Sequence, residues 1–523
     1  MAPTPTMQTL TEPVRLADLV ASLSLAIDLG TGQPPEHTLR TCLLSVELAR
    51  RSGVGADDLG EVHLVALLRY LGCTAAAADT AATVGDDLAY YAGMGPAFMG
   101  TGREQLRAVL RASGSGDRRG LRARHRVAAM LGRNSARDAI AAHGEASQHL
   151  ARRLGAPDGV VEALGSAFER WDGHGIPGEL EGEGVPAAIR VATVARDIDL
   201  WLRVGGEPAA TAVVHSRAGR GYDPAVAAAF LVAPEEVLAS VTGRDPWAEV
   251  LDAEPEPHRR IAPGDLDDVL EVFADFADLK SPWLRGHSAG VATLAATAAR
   301  AAGLDEAGAR RLRRAGLVHD LGRVAVANSV WDRPGRITDA EAERVHEHPA
   351  HAERILRRSS ALAPLADLAA QHHERADGSG YPRGVRRSAP GLEESLLAAA
   401  DTFHALTEPR PHRPAVAPVR AGEHLVREVA AGRLPREAVD AVLAAAGRAA
   451  VSRRHAVWPA GLTHREVEVL RLIVRGADHR EMVTSLGLSG KVIEDCIEDV
   501  HDKLGVRTRA GVALFAMQHD LLA

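Results

Sequence analysis

Aromatic side chains are scarce in this chain of 523 residues: Phe, Trp and Tyr together make up 3% of it. β-Sandwich cores lean on aromatic and β-branched residues, so that class is disfavoured and helix packing through Ala, Leu and Val is favoured. Cysteine is nearly absent as well. Cys42, Cys73 and Cys496 are scattered with no CxxC pair, which excludes a disulfide framework and fits a reducing cytoplasm. Lysine occurs only at Lys280, Lys491 and Lys503, so arginine carries nearly all the positive charge, a usage that reads as coding bias. The formal charge of -8 leaves no global basic footprint for nucleic acid, and any such binding must be local. No apolar run reaches the length of a membrane span, and the opening "MAPTPTMQTLTEPVR" lacks a signal peptide's apolar core. The expectation is a cytoplasmic protein without a membrane partner.

What is present is ordinary globular material, 46% hydrophobic and 25% charged, enough for about three domains at roughly 150 residues each. Helical periodicity dominates. In "HSAGVATLAATAARAAGL", Val291 and Leu294 fall four and seven residues beyond His287, which puts the histidine on the buried stripe. Segments rich in Pro, Gly and charge interrupt the pattern near 243–265 and 447–461. The resulting division is a flexible N-terminus (1–15), a first block (16–245), a linker (246–262), a second block (263–447), a linker (448–460) and a tail (461–523).

The two blocks read as copies of one unit. His37 to Arg69 spans 32 residues, as does His287 to His319. His143 to Ala167 spans 24, as does His348 to His372, and "FERWDGHGIPGE" parallels "HERADGSGYPRG". The offset between copies falls from 250 to 205, so the first carries an insertion of 45 residues, expected to include "YYAGMGPAFMGTGREQ".

The second block concentrates groups that bind cations: His287, His319, Asp320, His348, His372, His373 and Asp401. Imidazoles and carboxylates without thiolate suit iron or manganese, with zinc less favoured. Adjacent pairs such as His319-Asp320 and His372-His373 lie about 100° apart on a helix and can face two ions. Two ions roughly 3.5–4 Å apart are a recognised means of cleaving a phosphodiester.

These pieces ("HS" at 287, "HDLGR" at 319–323, "HP" at 348, "HHERADGSGYP" at 372–382 and "AAADTFHALTEPRPHRPA" at 398–415) resemble an HD-GYP domain, a helical subclass of the HD phosphohydrolases. The resemblance implies hydrolysis of a cyclic dinucleotide, above all cyclic di-GMP. It also implies one divalent ion on His287, His319, Asp320 and Asp401, and a second on His348, His372 and His373 with Asp320 bridging. Trp283 stands where trimetal members carry a carboxylate, so two ions are expected. Arg323 (a lysine in the family), Arg410 and Arg413 are the expected phosphate-binding residues, and Gly378, Gly380, Tyr381 and Pro382 form the GYP loop. His404 and His412 receive no ligand role. Ala376 replaces the usual tryptophan, and with Arg323 it leaves open a domain that binds the nucleotide with little turnover.

The first block keeps His37 and His143 but has Arg69-Tyr70, Ala167-Phe168 and Arg196 at the other ligand positions, so it cannot hold a bimetallic site. It is expected to be a structural partner or a sensor pocket suited to an anion. The tail, with "LTHREVEVL", "LGLS" and "KLGVRTR", resembles a LuxR-type helix-turn-helix of four short helices, with Thr463 and Glu466 as a capping box. That resemblance implies a third helix in the DNA major groove and a fourth that dimerises. The third helix instead carries Glu494, Asp495, Glu498, Asp499 and Asp502, leaving Lys491, Arg507 and Arg509 as candidate DNA contacts. DNA binding and a dimerisation or protein-docking role both stay open. The overall expectation is all-α: two tandem HD-like domains followed by the helix-turn-helix.

Overall fold

The computed structural model describes residues 12–97, 133–388, 390–452 and 458–522. Most of the expected N-terminal segment, most of the expected insertion and part of the second linker lie outside them. Helix dominates, at 67%. The only sheet among the described residues pairs Val14–Arg15 antiparallel with Arg260–Ile261. Two compact units are present, Val14–Ile261 with Ala327–Ser329, and Ala262–Val326 with Val330–Ala523.

The repeat read from residue spacing recurs in the helices. At the 250-residue offset, Leu16–Gly30 and Leu266–Asp278 begin at equivalent positions, as do His37–Ser52 and His287–Ala301, while Leu59–Leu68 and Glu306–Val318 end together. At the 205-residue offset, Arg133–Arg153 and His348–Arg358 end together, and Asp158–Gly165 and Ala187–Arg217 begin in step with Ala363–Ala369 and Leu392–Thr407. The change of offset falls between Gly72 and His143. Gly72 and Gly322 are paired across it, for a Cβ on either would lie 2.0 Å from the carbonyl oxygen of His143 or His348 respectively. Backbone runs against backbone at this point in both units, and only glycine fits.

Local hydrogen bonds repeat as well. Asp28 accepts from the Thr38 backbone N–H at 3.1 Å and hydroxyl at 2.6 Å, and Asp278 accepts both bonds from Ser288 at 2.8 Å. Each carboxyl ties the end of one helix to the start of the helix that opens with His37 or His287. Burial pushes Asp28 up to about 8 and Asp278 up to about 7. In the loops, Glu169 takes the backbone N–H groups of Gly178 and Glu179, and Glu374 takes those of Arg383 and Gly384.

In the second unit the core is made of small side chains. Val291, Leu294, Ala295, Ala298, Leu312, Leu396, Leu397, Leu425, Val439 and Val442 form one buried cluster, and His287 lies on the same buried stripe as Val291. The expectation about membrane spans needs one correction. The helical run 56–84 is long and apolar enough to cross a membrane by length and composition, with a mean hydropathy of 1.2, as is the bent pair Pro224–Leu231 and Pro234–Val241 if taken as one. Of the apolar window in 56–84, 78% is buried inside its own unit, as in the core helix of a folded domain.

Asp28 gives a testable pH dependence. Its folded-state pKa lies above the unfolded value, so its contribution to stability is complete below about pH 4 and is lost as pH rises through about 8. In thermal melts from about pH 5 to pH 8, Asp28→Asn should show a shallower decline of Tm with pH than the wild type.

Candidate metal centre

Five histidines and two aspartates that the sequence spreads over more than a hundred residues converge in the second unit. His287 opens its helix, with Gly286 before it at φ +78°. His319 and Asp320 follow the Glu306–Val318 helix, His348 opens the His348–Arg358 helix, His372 and His373 follow the Ala363–Ala369 helix, and Asp401 lies within Leu392–Thr407. Ligands sit at helix ends, so several elements reach one point. All seven are nearly inaccessible except His373, whose side chain is 17% exposed and marks the open edge.

Four of the five rings are aimed by a hydrogen bond on the far side. Nδ1 of His319 donates to the Gly316 carbonyl at 2.7 Å, and Nδ1 of His348 and of His372 to the Val345 and Ala369 carbonyls at 2.6 Å. Nδ1 of His287 is 2.7 Å from Glu408 Oε2. With Nδ1 as the donor, the Nε2 of each of these four rings is turned to the centre. Nε2 of His348 and of His372 point at one another across 3.2 Å, an arrangement that a cation between them would resolve.

Asp320 divides this set in two. Its Oδ2 lies 3.1 Å from His319 Nε2 and 3.5 Å from His287 Nε2, and its Oδ1 lies 3.3 Å from His348 Nε2 and 3.5 Å from His372 Nε2. Asp401 Oδ1 joins the first side at 3.2 Å from His287 Nε2, and its Oδ2 faces His373 Nδ1 at 3.6 Å. Donor atoms of His287, His319 and Asp401 are close enough to share one ion, and those of His348, His372 and His373 another. Nε2 of His287 and His319, both oxygens of Asp320 and Oδ1 of Asp401 are buried without a hydrogen-bond partner. Buried polar atoms of this kind are costly unless something charged is held there. The residues therefore fit divalent cations.

The electrostatics agree with that fit. Against the opposing effect of burial, Arg323 and His319 hold Asp320 well below the usual carboxylate range, and His287 does the same for Asp401. Burial pushes His372 down to about 3 and His348 and His373 also down, which keeps those rings neutral and able to ligate. His287 differs. Burial lowers it, but the Glu408 and Asp401 carboxylates together outweigh burial and hold it up to about 9.

Glu408 and His404 had no role in the sequence reading. His404 lies with its ring 5.5 Å from that of His287 and its Nδ1 3.3 Å from Glu408 Oε1. Their signal was position: Asp401 and His404 are three apart on one helix face, and Glu408 follows directly after that helix ends at Thr407. His287, His404 and Glu408 are close enough to share an ion, but the Arg410 guanidinium is 2.8 Å from Glu408 and supplies the positive charge there.

The other expected residues separate. Arg323 lies with Nε 2.8 Å from Asp320 Oδ2 and its guanidinium 5.0 Å from the Trp331 ring centre. Arg410 donates to Glu408 and to the Trp283 carbonyl. Arg413 donates to the carbonyls of Ala405, Leu406, Glu408 and Pro414, so it shapes the loop that carries Arg410. In the GYP loop, Gly378 has φ +79°, and a Cβ on Gly380 would lie 2.4 Å from the His373 carbonyl oxygen. Tyr381 stacks on His346 at 4.0 Å and lies 4.6 Å from His373, beside the open edge, and Pro382 follows it.

A family model described as HD domain matches residues 271–434, and one described as bacterial regulatory proteins, luxR family, matches 460–516. The 3'3'-cGAMP-specific phosphodiesterase 3 of Vibrio cholerae is 30% identical over 411 residues, covering 77% of this chain and 88% of that protein. The chain belongs to the HD-GYP phosphodiesterase family. The crystal structure of a cyclic GMP-AMP specific phosphodiesterase of V. cholerae is similar with a TM-score of 0.57 at 25% identity, covering 83% of this chain and 98% of that one. A cyclic di-GMP phosphodiesterase of Pseudomonas aeruginosa is 37% identical over 130 residues, 24% of this chain and 31% of that protein.

As an HD-GYP phosphodiesterase, the chain carries one ligand set and one degenerate copy. In the first unit, Tyr70 and Phe168 at the Asp320 and His373 positions stand around His143, with ring centres at 6.2 Å and 5.0 Å from it. His143 Nε2 is turned to the Arg69 carbonyl at 2.9 Å, and burial lowers its pKa to about 4. Arg196 is paired with Asp197. Aromatic packing has replaced coordination.

The LuxR-type tail has helices His464–Arg475, His479–Leu486, Gly490–Leu504 and Arg509–Gln518, with capping boxes at Thr463–Glu466 and Asp478–Glu481. On its third helix Ile493, Cys496 and Val500 face inward, while Glu494, Asp495, Glu498, Asp499 and Asp502 are exposed. Lys503 is tied to Glu466 at 2.6 Å and Arg507 to Asp502 at 2.9 Å. Lys491 and Arg509 are exposed.

Glu408 gives the test of this geometry. Loss of the acceptor on His287 Nδ1 should weaken metal binding by about 10–100-fold in Glu408→Ala, measured by chelator competition with metal analysis.

Proposed function

We propose that the second unit hydrolyses a cyclic dinucleotide, with 3'3'-cGAMP and cyclic di-GMP as the candidate substrates, and that the tail is its output. The observation that carries this reading is the division of Asp320, whose two oxygens face two separate sets of buried nitrogens. We assign His287, His319 and Asp401 to one divalent ion and His348, His372 and His373 to a second, with Asp320 serving both and iron or manganese preferred to zinc. Such ions, when bound, supply Lewis-acid polarisation of the phosphodiester and activation of water.

The chain's own residues do the rest. The exposed edge of His373 with Tyr381 beside it sets the side from which substrate enters and offers a ring against which a base can stack. Arg323, buried beside Asp320, supplies positive charge where a phosphate would be held. Buried walls around the ligands exclude bulk water, which strengthens every charge interaction inside. The curated relative matching most of this chain is named for 3'3'-cGAMP, and shorter matches are named for cyclic di-GMP, so both belong in the assay.

A second reading, a nucleotide-sensing regulator with little turnover, is favoured by one contact. Arg323 lies 2.8 Å from Asp320, the carboxylate both ions must share, and its charge competes with theirs. The cytoplasmic location we infer accords with three free, buried cysteines.

Hydrolysis of each dinucleotide by the purified chain with Mn(II) or Fe(II) decides between these readings. Turnover should fall by at least about a thousandfold in Asp320→Ala; tight nucleotide binding without turnover in the wild type would establish the regulator.

For the tail we propose DNA binding through Lys491, Arg507 and Arg509 that is weak and only shallowly dependent on salt, because five exposed acids oppose the phosphates. Fluorescence anisotropy with duplex DNA should show the double variant Glu494→Lys, Glu498→Lys gaining non-specific affinity and a steeper salt slope. No change would mark this helix as a protein-docking or dimer surface.

A further inference from the structure

The first unit, with no metal set among its described residues, has kept a hollow where one would be. A cavity of about 300 Å³ is lined by its degenerate positions, Arg69, Tyr70, Phe168 and Arg196 among them, and by residues of the Ala77–Val84 and Asp87–Met94 helices. That volume is in the range of small-molecule sites. Tyr70, Tyr91, Phe168, Met94, Val84 and Ile140 make most of its wall apolar.

Its positive charges are not equivalent. Arg196 is paired with Asp197, and Arg170 with Asp172. Arg69 is different: it is 6% exposed, donates from Nη2 to the Ala167 carbonyl at 2.6 Å, and lies 5.6 Å from the centre of the Tyr70 ring. Its Nε and Nη1 are buried without a hydrogen-bond partner. A guanidinium stays charged when buried, so two of its three nitrogens are donors awaiting an acceptor in an apolar chamber. Glu169 keeps one buried oxygen without a hydrogen-bond partner on the same wall, which would repel a second negative charge.

We propose that the first unit binds a small molecule with a single carboxylate on an apolar body, the carboxylate on Arg69 and the body among the tyrosines and Phe168. Among the described lining residues, one free cationic group selects one negative charge, and the apolar wall selects what is attached to it. Aliphatic and aromatic acids share this chemistry. The site is separate from the metal centre and does not depend on the activity assigned there.

Isothermal titration calorimetry on the full chain, using decanoate, 3-phenylpropionate and 1-decanol as probes, tests the proposal. At least one acid should bind saturably with one site per chain and more tightly than the alcohol, and the tighter acid identifies the body as aliphatic or aromatic. Arg69→Met should weaken the acid at least tenfold while leaving metal content unchanged. A second variant, Ala139→Trp at a half-buried lining position, should weaken the acid with Arg69 intact. The proposal is overturned if neither acid saturates, if Arg69→Met binds the acid as the wild type does, if the alcohol binds as tightly as the acids, or if Ala139→Trp binds the acid unchanged.

Discussion

The second unit is organised around one buried carboxylate. Asp320 is 1% exposed, has no hydrogen-bond partner for either oxygen, and is surrounded by four imidazole nitrogens and a guanidinium. Desolvating a carboxylate is expensive, and such a group persists only where positive charge compensates it. Of the rings delivered there by helix ends, burial keeps those of His348 and His372 neutral. Divalent cations bound there would add to the compensation that Arg323 already supplies, so binding of metal and stability of this unit are linked.

The tandem arrangement shows which parts of the fold are independent of that requirement. The first unit keeps the Asp–Thr tie between helices, the glycine pressed on a histidine carbonyl and the glutamate that gathers the loop N–H groups. Apart from the insertion between Gly72 and His143, the exchanges at the ligand positions are of side chains. Tyr70 and Phe168 fill by packing what Asp320 and His373 fill by charge, at a cost the unit recovers through aromatic contact. What they do not fill is the chamber beside Arg69.

Much of this was legible in the sequence because the ligands lie at helix ends and recur at fixed spacings. Equal intervals such as His37 to Arg69 and His287 to His319 revealed both the repeat and its decay. Glu408 and His404 were missed because their part in the site is to orient His287, and no spacing rule encodes a hydrogen bond made across the fold. The partners of Arg413 were hidden for a related reason. A guanidinium in the right motif looks available until its partners are seen, and here four carbonyls occupy it. In the tail, helix caps and stops were readable since they depend on neighbours in sequence, whereas the ion pair of Lys503 with Glu466 joins residues far apart.

Three of the ligand rings are oriented by carbonyls only three residues upstream, those of Gly316, Val345 and Ala369. Their aim is a property of the local chain, set before any ligand meets another. A lineage can therefore lose such a centre one residue at a time, each remaining ring still pointing inward, with no step at which the helices must be rearranged. The reverse also holds: restoring ligands to the first unit is a problem of replacing side chains in a frame already built for them.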